Sequence, residues 1–208
     1  MIASIREQGR ATWDAAPARY AFGRAALWRF EGSLALEQLE SLVAREVEAN
    51  AALGITSTAG GAQWFDRAVP GIAPPRRLRG SSDRVDRGPG VSQLVDYKTG
   101  RPSERSAVEN GRLLQLQLYA LAARDLLGDA RLVERYAFLR PPRKTWQLDS
   151  AVEADRALLD EASRVAAGIR DRVGAGVFHV VPSESCPRYC AFQHACRVNP
   201  LSKHKAWQ

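Results

Sequence analysis

The sequence predicts an α/β fold in which a central mixed β-sheet is flanked by helices and preceded by a helical N-terminal region. Three observations lead to this prediction. The predicted elements follow the order helix, three strands, helix, two strands, helix. The chain has 208 residues, of which 45% are hydrophobic, and this is enough to bury a core. The sequence contains no internal repeat and no G-x-x-x-x-G-K-S/T phosphate-binding loop.

The N-terminal region is predicted to be helical. Residues 1–30 are rich in Ala and Arg and are expected to be loosely helical, and residues 33–54 predict a clearer helix. Ser33 can cap the start of that helix and Gly54 can end it. One face of the helix carries the apolar side chains Leu39, Leu42, Val43 and Val47. Residues 55–62 are expected to be a loop.

Three strands are predicted next. The alternating residues 63–69 and the Arg-rich residues 76–87 are expected to form the first two, and VSQLVDYK at 91–98 the third. The glycines and proline at 88–90 predict a turn, so the second and third strands should pair antiparallel. Residues 99–111 are expected to be a polar loop.

The second half of the chain predicts two helices that enclose a hairpin. In order, these elements are a helix at 112–128 ended by Gly128, strands at 131–142 and 144–149, and a helix at 150–174. Ser150 and Glu153 would form a capping box for the last helix. We therefore expect three regions, which are a helical N-terminal region at 1–62, an α/β core at 63–182, and a cysteine cluster with a basic tail at 183–208.

Positive charge is concentrated in one segment of a basic chain. The net charge is +7 and the pI is about 9.8, which favours polyanionic partners, nucleic acid first. The candidate DNA-contacting residues lie in one Arg-rich stretch and are Arg76, Arg77, Arg79 and Arg84. The alternative is a protein from an Arg-rich proteome.

The start of the chain gives an expectation about its compartment. The stretch MIASIREQGRATW carries charge early and lacks the apolar core of a signal peptide. No apolar run approaches the roughly 18 residues that a membrane span needs. We therefore expect a cytoplasmic protein.

A pair of aspartates is predicted beside the hairpin. Asp96 lies in LVDYKTG at the end of the third strand, and the turn at 88–90 should bring Asp83 of GSSD alongside it. Two close carboxylates repel one another unless a cation lies between them, and Mg²⁺ or Mn²⁺ takes such hard oxygen ligands. Asp86 is expected on the opposite strand face. The alternative is a pair of exposed turn aspartates.

Three further polar residues are candidates for the same site. Lys98 shares a strand face with Asp96 and could orient an attacking water or stabilise charge on a phosphate oxygen. Gln115 and Tyr119 are four residues apart on a predicted helix and so share one face of it. The alternatives are a solvated lysine at a strand end and a surface glutamine.

Three cysteines lie close together near the end of the chain: Cys186, Cys190 and Cys196. An odd number of cysteines in a cytoplasmic chain does not suit a disulfide framework. The cluster therefore indicates metal ligands, and reduced structural thiols are the alternative. Zinc bound together with His194 is a further alternative.

The motifs GSSD, VDYKTG and QLQLYAL, followed by the cysteine cluster, resemble the RecB-like branch of the PD-(D/E)XK nuclease superfamily. That branch includes the nuclease modules of bacterial helicase–nuclease complexes, such as AddB-type proteins. The resemblance covers roughly residues 63–198 and rests on the order and spacing of the motifs. It implies a restriction-endonuclease-like core and a Mg²⁺- or Mn²⁺-dependent deoxyribonuclease that acts in DNA repair or recombination. Exonuclease and endonuclease action both stay open.

The resemblance also implies roles for individual residues. The implied catalytic residues are Asp83, Asp96, Lys98, Gln115 and Tyr119. The implied metal ligands are Asp83, Asp96 and the backbone carbonyl of Tyr97. Several members of the family carry a 4Fe–4S cluster on three C-terminal cysteines and one upstream cysteine, which implies such a cluster at the three cysteines here. The implied partners are DNA and a helicase subunit or domain.

The sequence departs from the family in two places. It has no fourth cysteine, and its three histidines come late, whereas the family usually carries a His or Glu on a helix ahead of the first aspartate. Glu31, Glu46 and Glu48 are candidate replacements. Because both missing pieces belong upstream, we expect a piece of a longer nuclease. The alternative function is a catalytically impaired DNA-binding module on the same fold.

Overall fold

Three antiparallel pairs of consecutive strands and one parallel crossover build the central sheet of the protein, which we describe from a computed structural model. The structure describes residues 2–20, 24–68, 77–100, 104–109, 111, 113–127, 131–140 and 146–177. The helices are α1 (Ile2–Ala15), α2 (Ala25–Ala52), α3 (Arg105–Glu109), α4 (Gln115–Leu127) and α5 (Glu153–Gly174). The strands are β1 (Ser57–Ala68), β2 (Arg77–Gly88), β3 (Val91–Lys98), β4 (Arg131–Phe138) and β5 (Leu148–Asp149).

The hairpin of β2 and β3 forms as predicted. The two strands pair antiparallel, and the last pair, Gly88 with Val91, leaves Pro89 and Gly90 as the connecting turn. Gly90 has a φ of +70°, a conformation that glycine adopts freely and that strains other residues. The bounds of β3 match the prediction because an apolar run next to turn residues is a local signal.

β1 is longer than predicted, and its first part replaces the loop that was expected at 55–62. It pairs antiparallel with β2 from Ser57 to Ala68. The register shifts between Gly60 and Gln63, as in a β-bulge. Glycines carry little strand propensity, so the pairing with β2 decides the conformation of this segment.

The sheet has the strand order β1-β2-β3-β4-β5. β3 pairs parallel with β4, and the other neighbours pair antiparallel. The crossover from β3 to β4 contains α3 and α4, so the segment predicted as a loop at 99–111 includes a short helix. The predicted fold class, a central mixed sheet flanked by helices, is confirmed. The predicted hairpin of β4 and β5 is also present, although β5 has only two residues.

Apolar side chains cover both faces of the sheet. The larger cluster lies between the sheet and helices α3 to α5, and its buried members are Leu94, Val108, Leu116, Ala120, Ala123, Leu132, Tyr136, Phe138, Leu148 and Leu159. On the other face, Leu42 of α2 packs against Val95 and Ala137. Burial of one such large side chain contributes about 1.5–3 kcal/mol. Val47, which was predicted on the apolar face of α2, is instead 50% exposed.

α2 begins at Ala25, ahead of the predicted start at 33, because it packs against α1. Trp13 of α1 stacks on Trp28 with ring centroids 4.0 Å apart. The Trp13 ring fills the space that a side chain at position 32 would need. This contact explains why a glycine, Gly32, lies in the interior of α2. The prediction that Ser33 caps the helix is therefore wrong, and its Oγ donates to a backbone carbonyl one turn earlier at 3.2 Å.

The other predicted helix ends are partly confirmed. Gly54 follows the end of α2 with a φ of +65°, as a C-terminal glycine should. α4 begins at Gln115 rather than at 112, and Gly128 lies outside the described residues. The capping box predicted at Ser150 is wrong, because the Oγ of Ser150 accepts a hydrogen bond from the backbone N–H of Leu132 at 2.8 Å.

The chain separates into two compact units, Met1–Val165 and Ala166–Gln208. The first unit contains the sheet and the helices up to the first part of α5. In the second unit, the described residues are the rest of α5 and the turn that follows it. The region boundaries expected at 62 and 182 stay predictions. Among the residues that the structure describes, no helix is long and apolar enough to cross a membrane.

Candidate functional site

Asp96 and Lys98 form an ion pair at the end of β3. Nζ of Lys98 lies 2.5 Å from Oδ2 of Asp96. Asp96 is 5% exposed, whereas the side chain of Lys98 is 35% exposed. Because side chains alternate along a strand, both residues lie on the face that α4 covers. The pair therefore combines a buried carboxylate with an ammonium that solvent can reach.

Gln115, at the start of α4, connects the two charged groups. Its Nε2 donates to Oδ1 of Asp96 at 2.8 Å and to the hydroxyl of Tyr119 at 3.0 Å. Its Oε1 accepts a hydrogen bond from Nζ of Lys98 at 3.0 Å. One side-chain amide thus orients the carboxylate and the ammonium, and the structure brings four of the predicted site residues together.

Asp83 lies beside this cluster on β2. The backbone N–H of Tyr97 donates to Oδ2 of Asp83 at 2.8 Å. In the hairpin register Arg84 pairs with Val95, so Asp83 and Asp96 are the next residues on the two strands. The two aspartates that the sequence placed side by side are therefore neighbours.

The carboxyl group of Asp96 has an unusual protonation equilibrium. Burial raises the pKa of Asp96 above its ordinary value. The ammonium of Lys98 and the hydrogen bond from Gln115 oppose this rise, and the negative charge of Asp83 adds to it. A cation shared by the two carboxylates would remove their repulsion and favour the ionised form of Asp96.

The carboxylate oxygens of the two aspartates are donors of the chemical kind that a small divalent cation takes. Oδ2 of Asp96 is buried, and among the described residues its polar neighbour is the ammonium of Lys98, at 2.5 Å. Mg²⁺ and Mn²⁺ bind one or two carboxylates and keep several waters. Within the described ranges, no group of three or more His, Cys, Asp or Glu side chains could hold a metal ion. The carboxylates that the described residues bring to this position are those of Asp83 and Asp96.

Aromatic rings surround the polar cluster. Nζ of Lys98 lies 5.1 Å from the ring centroid of Tyr136, whose pKa is raised to about 12 by burial and by nearby negative charge. Phe65 meets Tyr119 edge to face at 5.2 Å, and a side chain at Gly80 would come within 2.7 Å of Phe65. Sequence reasoning did not identify Tyr136, because its contact with Lys98 depends on the parallel pairing of β3 and β4.

The arginines predicted to contact DNA have different environments. Arg77 and Arg79 are exposed and bind the carboxylate of Asp66 at 2.6 and 3.1 Å. Arg84 is 8% exposed. Arg76 lies outside the described residues.

Arg84 belongs to a buried ionic network on the α2 side of the sheet. Glu46 of α2 accepts hydrogen bonds from Arg84 at 2.5 Å and from Arg135 at 2.7 Å. Burial raises the pKa of Glu46, but the hydrogen bonds and charges of the two arginines outweigh it, and the net pKa is lowered. Arg84 also donates to Asp86 at 3.0 Å and to the hydroxyl of Tyr97. Its guanidinium therefore joins α2 to the sheet.

Asp86 is not part of the Asp83–Asp96 pair. It is fully buried and accepts a hydrogen bond from Gln93 at 2.8 Å. Gln93 also donates to Asn50 of α2 at 2.9 Å. Asp86 thus faces α2.

A cavity of about 520 Å³ lies between α2 and the end of β3. Lys98 and Glu46 both line it. Of the upstream glutamates considered above, Glu46 is therefore the one beside this cavity, with its carboxylate already bound by two arginines. Glu31 and Glu48 are exposed on α2. The cysteine cluster, Cys186, Cys190 and Cys196, and also His194, lie outside the described residues.

The chain matches a family model described as the PD-(D/E)XK nuclease superfamily, over residues 3–197. Among curated proteins, none matches the chain. Among solved structures, it is similar to a candidate exonuclease from Eubacterium rectale, with 16% identity and a TM-score of 0.45 over 79% of this chain and 61% of that one. The chain thus spans about three fifths of that protein. A second similar structure, SSO0001, has 12% identity and a TM-score of 0.37, with coverage of 92% and 78%.

Proposed function

The chain belongs to the PD-(D/E)XK nuclease superfamily, and on this premise we propose that it hydrolyses phosphodiester bonds of DNA with a divalent cation bound by Asp83 and Asp96. The observation that carries the proposal is the cluster in which Gln115 fixes Asp96 and Lys98 beside Asp83. Such a cluster combines carboxylate oxygens, a positive charge and a polar support at the end of β3.

Each residue of the cluster has its own role in the proposed hydrolysis. Asp83 and Asp96 would hold Mg²⁺ or Mn²⁺, with the backbone carbonyl of Tyr97 as a further proposed ligand. When bound, the cation supplies positive charge that polarises the scissile phosphate and stabilises the leaving 3′-oxygen, which would leave 5′-phosphate ends. The ammonium of Lys98 orients the attacking water and offsets charge that grows on the phosphate.

Gln115 and Tyr119 position the carboxylate of Asp96 and the ammonium of Lys98. The amide of Gln115 holds the carboxylate of Asp96 and the ammonium of Lys98 at 2.8 and 3.0 Å. The hydroxyl of Tyr119 accepts from the same amide and so limits its rotation. We expect this support to keep the attacking water and the phosphate in line.

The finer assignments are part of the proposal. Arg77 and Arg79 would contact the DNA backbone, together with Arg76, and the buried Arg84 is left out of this set. The RecB-like motifs support a role in DNA repair or recombination with a helicase partner. The three cysteines support a 4Fe–4S cluster, for which absorption and iron content of anaerobically purified protein are the test.

The test is cleavage of linear single-stranded DNA in Mg²⁺ or Mn²⁺. We expect the wild type to cut and Asp96→Asn to lose at least about 100-fold in rate, as the removal of a charge-stabilising group does. Asp160→Asn, on the exposed side of α5, is the matched control and should cut like the wild type. Equal cleavage by Asp96→Asn and the wild type would refute the assignment.

A second candidate function is a DNA-binding module that has lost turnover. The observation that favours it is that the carboxylate of Glu46 forms ion pairs with Arg84 and Arg135, which occupy the oxygens that a metal would need. Salt-sensitive DNA binding with no cleavage by the wild type in either metal would support this module.

A further inference from the structure

The pairing of β2 with β3 stops just before the two candidate metal ligands. Beyond the pair of Arg84 with Val95, the structure describes no further pair between these strands. Asp83 and Asp96 are the next residues on either side. The end of β2 stays paired with β1, and the end of β3 stays paired with β4 up to Lys98. The distance between the two strand ends therefore depends on side chains.

Three hydrogen bonds connect the two strand ends, and each of them uses a side chain of β2. Oγ of Ser82 donates to the backbone carbonyl of Val95 at 3.4 Å. The backbone N–H of Tyr97 donates to Oδ2 of Asp83 at 2.8 Å. Nη1 of Arg84 donates to the hydroxyl of Tyr97. Tyr97 thus contacts β2 twice, once through its backbone and once through its phenol.

The contact between Arg84 and Tyr97 lies on the α2 side of the sheet. Adjacent residues of a strand point to opposite faces, so these two side chains lie behind Asp83 and Asp96. Cζ of Arg84 is 5.5 Å from the ring centroid of Tyr97. Tyr97 is 41% exposed and lines the cavity between α2 and the end of β3. The orientation of its phenol therefore depends on the guanidinium more than on close packing.

The guanidinium of Arg84 is itself held firmly. Its Nε donates to Asp86 at 3.0 Å and its Nη2 donates to Glu46 at 2.5 Å, while Nη1 binds Tyr97. The side chain is 10% exposed. A guanidinium is planar, so it cannot shift toward or away from Tyr97 without breaking a charge-assisted hydrogen bond. Arg84 therefore provides a fixed support for Tyr97.

We propose that Arg84 is a positioning residue for the candidate metal site and that it acts through Tyr97. The inference rests on the proposed function, which supplies the cation. Arg84 holds the phenol of Tyr97, and the N–H of Tyr97 holds Asp83. Since Asp96 directly precedes Tyr97, fixing Tyr97 sets the spacing of the two carboxylates. Contacts that orient metal ligands in this way change metal affinity by about 10- to 100-fold.

The first test needs no metal. Amide hydrogen exchange at residue 97 is measured by NMR in EDTA, because this N–H reports on the contact with Asp83. Tyr97→Phe removes the hydroxyl and keeps the ring, and we expect the amide to exchange about tenfold faster, with the amides of β4 unchanged. Arg135→Gln is the matched control, since it breaks a different contact of Glu46 and should leave residue 97 protected. Equal exchange in the wild type and Tyr97→Phe overturns the proposal.

The second test measures Mn²⁺ affinity of the full chain by electron paramagnetic resonance. We expect Tyr97→Phe and Arg84→Gln each to bind Mn²⁺ about tenfold more weakly than the wild type. Because the two residues act in series, the double variant should bind no more weakly than the weaker single variant. Arg135→Gln should bind Mn²⁺ like the wild type even though urea denaturation shows it to be less stable.

Three results of the second test overturn the proposal. They are wild-type Mn²⁺ affinity in Tyr97→Phe, losses that add in the double variant, and a loss in Arg135→Gln as large as that in Tyr97→Phe. The last of these would show that general loosening of the buried network, and not the contact with Tyr97, lowers the affinity. If Arg84→Gln does not fold, Tyr97→Phe and Arg135→Gln still decide the result.

Failure of this proposal and failure of the proposed function can be told apart. If Asp83→Asn and Asp96→Asn lose Mn²⁺ affinity but Tyr97→Phe does not, the positioning role is overturned and the metal site stands. If both aspartate variants bind Mn²⁺ like the wild type, while Tyr97→Phe exposes the amide of residue 97 to exchange, the metal site fails. In that case the contact between the strand ends stands.

Discussion

Gln115 is the residue on which the geometry of the candidate site depends most. Its amide donates to Asp96 and accepts from Lys98, so rotation of this one side chain would break a hydrogen bond to each member of the ion pair. The hydroxyl of Tyr119 accepts a hydrogen bond from the same amide and so limits its rotation. Gln115 is thus a positioning residue, and its replacement should lower kcat without weakening the binding of DNA.

We predict that Gln115→Leu lowers kcat by about 10- to 100-fold, because misplacement of reacting groups by about 1 Å costs that much. Affinity for DNA in EDTA should stay unchanged, since the amide contributes no charge to the DNA-facing surface. Steady-state kinetics and anisotropy measure the two effects. Gln8→Leu on α1 is the control, and an unchanged kcat in Gln115→Leu would contradict the role.

Glu134 is a second residue with an unusual environment. It lies on β4, is 1% exposed, and neither of its carboxylate oxygens has a hydrogen-bond partner among the described residues. Burial raises the pKa of Glu134 well above its ordinary value of 4.5. The group therefore keeps its proton in the folded protein at pH values where the unfolded chain has lost it.

This environment predicts a pH dependence of stability. Below pH 4.5 Glu134 is protonated in both states. Above it the unfolded chain ionises first, and the free energy of unfolding falls by up to about 1.4 kcal/mol per pH unit until the folded-state pKa is reached. Glu134→Gln should remove this fall and stabilise the protein more at pH 8 than at pH 5 in urea denaturation. Exposed Glu48→Gln is the control, and an equal gain at both pH values would contradict the prediction.

At the scale of elements, a buried network attaches α2 to the sheet. Glu46 binds Arg84 of β2 and Arg135 of β4, and all three side chains are at most 12% exposed. Removing one partner of a buried ion pair leaves uncompensated charge in the interior, which costs much more than the pair itself contributes.

We predict that Glu46→Ala lowers the free energy of unfolding by about 3–5 kcal/mol, because it leaves two buried guanidiniums without their carboxylate. Since the pKa of Glu46 is lowered in the folded state, its contribution is present above its ordinary pKa and is lost as the pH falls through the folded value. Urea denaturation at pH 7 measures the loss. Exposed Glu48→Ala on the same helix should change stability by less than about 0.5 kcal/mol, and a similar loss in both variants would contradict the account.

The same elements explain how far the sequence could predict the fold. β3 and its turn were predictable because their signals are local, and Asp83, Asp96 and Lys98 meet through that one hairpin. The start of α2 and the first half of β1 were not predictable from the sequence. The packing of Trp13 against Gly32 decides the first, and the pairing of β1 with β2 decides the second.

Contacts between distant elements were also beyond sequence reasoning. Tyr136 reaches Lys98 only through the parallel pairing of β3 and β4. The burial of Arg84 follows from where α2 packs, so a cluster of arginines in the sequence did not reveal which of them faces solvent.

At the scale of the whole molecule, net charge affects the DNA binding that we propose. With a net charge of +7, binding should weaken steeply as salt rises, since each neutralised phosphate releases counterions. We predict that Arg79→Gln weakens binding to all sequences alike and lowers the slope of log affinity against log salt by about one. Anisotropy from low to high salt measures the slope. Arg10→Gln on α1 changes the net charge equally, and an equal change of slope in both variants would contradict a contact between Arg79 and the DNA backbone.

The central claim is that Asp83 and Asp96 share one divalent cation. The most direct measurement is Mn²⁺ binding to the full chain by electron paramagnetic resonance, with Mg²⁺ as competitor. We predict one Mn²⁺ site in the wild type and in Asp160→Asn, and a loss of affinity of about tenfold or more in both Asp83→Asn and Asp96→Asn. The same Mn²⁺ affinity in the wild type and in both site variants would contradict the claim.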